Sequence, residues 1–347
     1  MRIARSQKLF GGVKKTTPGI TAALYGAESY ALPDSRPASS ALPERMVAGD
    51  PEMVIGSPSV SPNIYTEHFG LKTRPFALAP DPRFLFWPPA HRRAYTMLEY
   101  GVMTHSPITL ITGDIGAGKT TLLLHLMNSL GRDVCIGLIS NPNGARSELL
   151  RWVLMALDQP VGPDQSYVDL FSRFQSFLIS EYASGRRVVL IFDEAQNLSI
   201  EALEELRMFT NINSGKDELL QLVLVGQPEL RETIAQPTMR QFAQRIASHC
   251  HLTAMDQRTV RAYVLHRMMV AGRESKVFST PAVNLIHART EGVPRLVNQL
   301  CDLSLVYAFS KGRQTVTVAT VQQVLDDGAY FSVNSLIRKD AKSCPST

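Results

Sequence analysis

The chain has 347 residues, 44% of them apolar, enough to bury the core of one large α/β domain and a smaller companion. Lys and Arg exceed Asp and Glu by five, 36 against 31, and the isoelectric point is near 9.0; an excess that small permits an acidic partner without demanding nucleic acid. No run approaches the about 18 consecutive apolar residues of a membrane span, and the basic start has no apolar stretch of a secretory signal behind it, so a cytoplasmic protein is expected.

Residues 1–62 are rich in Pro, Ser, Ala and Gly and carry no period. They are expected as a disordered arm, since such a segment buries too little apolar surface to offset its ordering. Arg2, Arg5, Lys8, Lys14 and Lys15 make its beginning basic. From Tyr65 the pattern becomes globular. A strand over Ile108–Thr112 leads to a helix over Gly118–Leu130. A strand Val134–Ser140, helices Ser147–Leu157 and Tyr167–Ala183, and a strand Val188–Phe192 follow. A helix Ile200–Asn211, a strand Leu220–Val225, a short helical stretch and a strand His249–Thr253 complete the series. Strands alternating with helices specify a parallel sheet covered on both faces, and Val188–Phe192, apolar throughout, reads as buried on both sides. After Asp256 the pattern is wholly helical, over Asp256–Ala271, Thr280–Thr290, Pro294–Ser310 and Val318–Asp326. The expected fold is α/β: a parallel-sheet domain with helices on both faces over 63–254, a small all-helical lid domain over 255–330, and a loose tail over 331–347.

The four cysteines lie far apart with no paired spacing, which reads as reduced thiols. His249-Cys250-His251 has metal-binding residue types, but neighbours on a strand point to opposite faces, so no metal centre is expected there.

The chemistry is concentrated in Gly113-Asp114-Ile115-Gly116-Ala117-Gly118-Lys119-Thr120, followed by Thr121. It fits G-x-x-x-x-G-K-[ST] and lies between an apolar strand and a helix, as phosphate binding requires. The glycines let backbone N–H groups converge on phosphates, and the helix N-terminus adds partial positive charge. Lys119 is expected at the β- and γ-phosphates and the Thr120 hydroxyl at Mg²⁺. Asp193-Glu194 leaves the most apolar strand at its carboxyl end, where parallel sheets carry their ligands. Asp193 suits Mg²⁺, directly or through water, and Glu194 suits the attacking water. The second carboxylate favours ATP hydrolysis over phosphoryl transfer to another substrate.

The ordered set of the P-loop, FDEAQNL, ALEELRMFTN, LVGQPEL, FAQRI and GVPRLVNQLCD, with the upstream YTEHFGLKTRPFALAPDPRFLFWPPAHRRAYTMLEYGV, covers about Tyr65 to Asp327. It resembles the AAA+ ATPases of the general secretion pathway protein A group, which includes shorter ATPases encoded with exopolysaccharide and exosortase systems. The resemblance implies that Gln227 is sensor 1, that Arg245 is an arginine finger reaching a neighbouring subunit, with Arg240 as the alternative, and that Arg295 is sensor 2. A finger supplied to a neighbour implies a nucleotide-dependent homo-oligomer. Secretion-pathway members continue into a membrane span and a wall-binding region that are not found here, so the shorter relatives are the closer match expected. The implied function is an ATP-driven motor or switch serving an envelope-machinery partner, in secretion or exopolysaccharide export, peripheral to the inner membrane only through that partner. The alternative is a DNA-binding AAA+ ATPase resembling the transposition regulators, with which the core motifs are shared.

Overall fold

The computed structural model describes residues 64–330 apart from 80, 143–145 and 215–216. The expected arm over 1–62 and tail over 331–347 lie outside the described residues.

Five parallel strands form the main sheet: β1 (Ile108–Gly113), β2 (Val134–Ser140), β3 (Arg187–Asp193), β6 (Leu220–Gly226) and β7 (Ile246–Leu252). Their order is β2-β3-β6-β1-β7, which sets β1 between β6 and β7. The short strands β4 (Asn213–Ser214) and β5 (Asp217–Glu218) pair antiparallel outside it. Side chains alternate across a strand, and β3 shows the consequence. Val188, Leu190 and Phe192 enter one core while Val189 and Ile191 enter another. The first core is closed by α3 (Arg146–Ala156), α4 (Tyr167–Ala183), α5 (Ile200–Phe209) and the short α6 (Pro228–Ile234) and α7 (Arg240–Ala243). The second is closed by α1 (Pro89–Met103) and α2 (Lys119–Ser129). Local signals start these helices. The Ser166 hydroxyl accepts from the Asp169 backbone N–H, and Asp169 accepts from the Ser166 N–H in return, a capping box opening α4. Ser199 caps α5 in the same way through the Ala202 N–H.

Past β7 the chain is helical, as expected: α8 (Gln257–Val270), α9 (Thr280–Thr290), α10 (Pro294–Ser310) and α11 (Val318–Asp326). Asp256 and Ser279 cap α8 and α9, and Pro294 opens α10 from its first position. The core of these helices holds Tyr65, Phe69, Leu71, Phe76 and Phe84 from before α1. A boundary at 63 groups those aromatics with the sheet, yet they pack among Val260, Val264, Leu300 and Leu305. The physical reason is area. Four short helices leave an apolar face uncovered, and the aromatic leading segment covers it. The Tyr65 hydroxyl and the Arg74 guanidinium, 2.5 Å away for the arginine, both donate to Asp302 and fasten the segment to α10.

Candidate nucleotide site

The loop between β1 and α2 is built as the sequence requires. Gly116 has φ +79°, a conformation open to glycine, and a Cβ there would stand 2.6 Å from Cβ of Arg295. Lys119 opens α2, and its ammonium donates to the carbonyls of Gly113 (2.7 Å) and Asp114 (3.0 Å). Burial pushes the Lys119 pKa down, and the charges of Glu194, Asp193, Asp114 and Glu229 oppose that fall. Thr120 points across to β3, its hydroxyl donating to Asp193 Oδ2 at 3.0 Å. Asp193 is buried, and that burial pushes its carboxyl above the usual range against the bonds from Thr120 and the Glu194 backbone N–H. A hydroxyl and a buried carboxylate facing each other at the mouth of a phosphate loop fit Mg²⁺, which would relieve the cost of a bare buried charge.

Glu194 has φ +56°, uncommon for a residue with a side chain, and caps the 3₁₀ turn Ala195–Asn197. Its Oε2 accepts from Gln196 Nε2 (2.7 Å) and from Gln227 Nε2 (3.2 Å). Gln227 itself stands at the exit of β6 as the N-cap residue of α6. Thus Lys119, Thr120, Asp193, Glu194 and Gln227 converge at the carboxyl ends of β1, β3 and β6.

Arg295, exposed at the start of α10, lines the same cleft, and its backbone N–H donates to the Gly116 carbonyl at 3.3 Å. Arg245 does not join the cluster. It precedes β7 at the amino end of the sheet, a seven-residue strand or about 20 Å away. Its guanidinium donates to the Thr210 hydroxyl (3.0 Å) and carbonyl (3.3 Å) and to Asn211. Arg240 is exposed on α7. One copy of the chain therefore does not bring Arg245 to its own phosphate loop.

The loop opens into a cleft of about 370 Å³ between sheet and helices. Sequence reasoning missed its other wall: Ala77–Ala79, Phe84 and Phe86 before α1, His91 on α1, and Tyr263, Arg267 and Asn298 from the helices. Arg267 lies 4.8 Å over the Phe84 ring and donates to the Tyr263 hydroxyl, which donates to Asn298 Oδ1. His91 Nε2 donates to the Ala117 carbonyl (2.8 Å), since a carbonyl only accepts, and leaves a buried Nδ1 with no hydrogen-bond partner among the described residues. The aromatic spacing Phe84-Leu85-Phe86-Trp87 was the one available signal.

Comparison with known proteins places this geometry. A family model described as an AAA domain matches residues 102–234. General secretion pathway protein A of Aeromonas hydrophila is 37% identical over 276 residues, 78% of this chain and 50% of the relative, so the chain spans about half that protein's length. Among solved structures, the Aeropyrum pernix ORC2 protein in ADPNP-ADP complexes superposes with a TM-score of 0.53 at 17% identity, over 74% of this chain and 71% of that one. Drosophila ORC bound to DNA gives 0.54 at 15%, over 89% and 74%. At such identities the structural likeness establishes the fold alone. Among the described residues no helix is long and apolar enough to cross a membrane.

Proposed function

The chain carries a P-loop AAA+ fold and is related to general secretion pathway protein A; from that premise we propose that it binds and hydrolyses ATP to drive or regulate an envelope process, secretion or exopolysaccharide export. The observation that carries the reading is the meeting of Lys119, Thr120, Asp193 and Glu194 at the carboxyl ends of β1 and β3, the two strands that flank β6. The phosphates lie along the Gly113–Thr121 backbone, with Lys119 leaving its two carbonyls for the γ-phosphate. Thr120 and Asp193 would hold Mg²⁺, and the ion would supply neutralisation of phosphate charge. Glu194 orients and deprotonates the attacking water, and Gln227 senses the γ-phosphate beside it. The base lies against the wall of the cleft that Phe86 and Tyr263 line, their rings packed edge to face. Arg295 reports nucleotide state to the helical domain over 255–330, and Arg245 completes the site of a neighbouring copy. Arg245 must leave Thr210 and Asn211 to do so, whereas Arg240 needs no such release.

The likeness at 37% identity to a secretion protein outweighs the fold-level likeness to DNA-bound proteins. ATP turnover measured against protein concentration, with and without duplex DNA, separates the readings. Glu194→Gln is expected to bind ATP normally while turnover falls about 10²-fold or more. Specific activity is expected to rise with concentration and to fall in Arg245→Ala. Wild-type turnover in Glu194→Gln would overturn the role of that residue. Stimulation by DNA that fades with added salt would favour the DNA-binding alternative.

A further inference from the structure

We propose that Gln196, which no motif above assigns, is the positioning residue that ties Glu194 to Gln227 and so sets where the water-activating carboxylate points. The inference rests on the hydrolytic reading just given. Gln196 sits on the 3₁₀ turn capped by Glu194. Its amide faces two ways: Nε2 donates to Glu194 Oε2 at 2.7 Å, and Oε1 accepts the Gln227 backbone N–H at 3.0 Å. The orientation of that amide is chemically forced, because a backbone N–H only donates and a carboxylate only accepts. Gln227 closes the ring by donating from its own side chain to the same Oε2 at 3.2 Å.

Three residues from two strand ends thus form one circuit. Both amide donors land on a single carboxylate oxygen, leaving Oε1 for the water. The backbone at Glu194 is already held at a positive φ, so the side chain is the remaining freedom, and Gln196 removes it. Through the Gln227 backbone, any displacement of the β6 exit is carried to the carboxylate. A group that reacts with water must be held to about 0.5 Å, and looser positioning costs rate and leaves binding untouched.

Two substitutions test this. Gln196→Met keeps the length and loses both bonds. Gln196→Glu keeps an acceptor for the Gln227 N–H and sets a like charge against Glu194. Both are expected to lower kcat about tenfold or more at pH 8, with KM and equilibrium affinity for ATP within about twofold of wild type. In Gln196→Glu the new carboxyl, its pKa raised by the neighbouring carboxylate, takes up a proton as pH falls and donates again. Its kcat relative to wild type is therefore expected to climb from pH 8 to pH 6, a recovery that Gln196→Met does not show. In a Glu194→Gln background neither change is expected to lower turnover further. Turnover within twofold of wild type in both variants, or a loss in Gln196→Glu independent of pH and matched by weaker ATP binding, would overturn the assignment. Those results leave the hydrolytic reading standing if Glu194→Gln is still inactive. A wild type that does not turn over ATP would end both.

Discussion

Asp193 concentrates the electrostatic conflict of the site. It needs its charge to hold a cation, and it lies where charge is expensive. Its folded pKa stands above its free value of 3.8 because burial outweighs the bonds it accepts. An acid shifted that way favours the folded protein at low pH, and that contribution is lost as pH rises through the raised value. Asp193→Asn removes the conflict, because an amide can accept the Glu194 N–H with its oxygen and donate to the Thr120 hydroxyl with its nitrogen. Thermal unfolding without nucleotide at pH 7.5 is expected to show the variant more stable by about 2–4 °C, or ~1 kcal/mol. The difference shrinks toward pH 4, and Mg²⁺-dependent turnover disappears. Lys119, Thr120, Asp193 and Glu194 were legible in the sequence because their chemistry fixes residue type and spacing together. Gln196, His91 and Asn298 were not, because an amide or imidazole gains its role from what the fold lays against it.

Elements were legible to the extent that one period governed them. Val188–Phe192 and Leu220–Val225 were found nearly whole, since strands buried on both faces are apolar throughout. β7 was expected from His249 and begins at Ile246, because its burial alternates irregularly along Ile246–Leu252. α1 went unread although His91, Ala94, Leu98 and Val102 are buried at helical spacing; its Pro-Pro start reads as a loop. Strand order was not legible at all, since alternation says that strands are parallel and not which are neighbours. The connection from α9 to α10 carries a prediction of its own. Gly292 has φ +76°, and a Cβ there would fall 1.8 Å from the Met255 carbonyl oxygen, while Met255 N–H donates to the Gly292 carbonyl at 3.0 Å. Gly292→Ala must push backbone apart and is expected to cost about 2–4 kcal/mol in denaturant unfolding. Because Arg295 follows within one turn, ATP affinity is expected to weaken as well.

On the scale of the whole molecule, the leading segment belongs physically with the helices that end the chain. Phe76 is 1% exposed in their core, and Ala77 beside it lines the cleft. Phe76→Ala is expected to cost about 3–5 kcal/mol in denaturant unfolding and to loosen ATP binding in the same protein. This arrangement means that the polypeptide passes between the helical layer and the sheet layer twice, once between Phe86 and Pro89 and once between Leu252 and Gln257. A door hung on one pin can swivel in any direction; hung on two, it keeps a single axis. Were the helical layer to turn against the sheet, the line through those two crossings would be its natural axis, and Phe86, Pro88 and Met255 place the cleft beside that line. On such an axis a small change in the cleft would grow with distance, and the leverage would be greatest at the far ends of the helices.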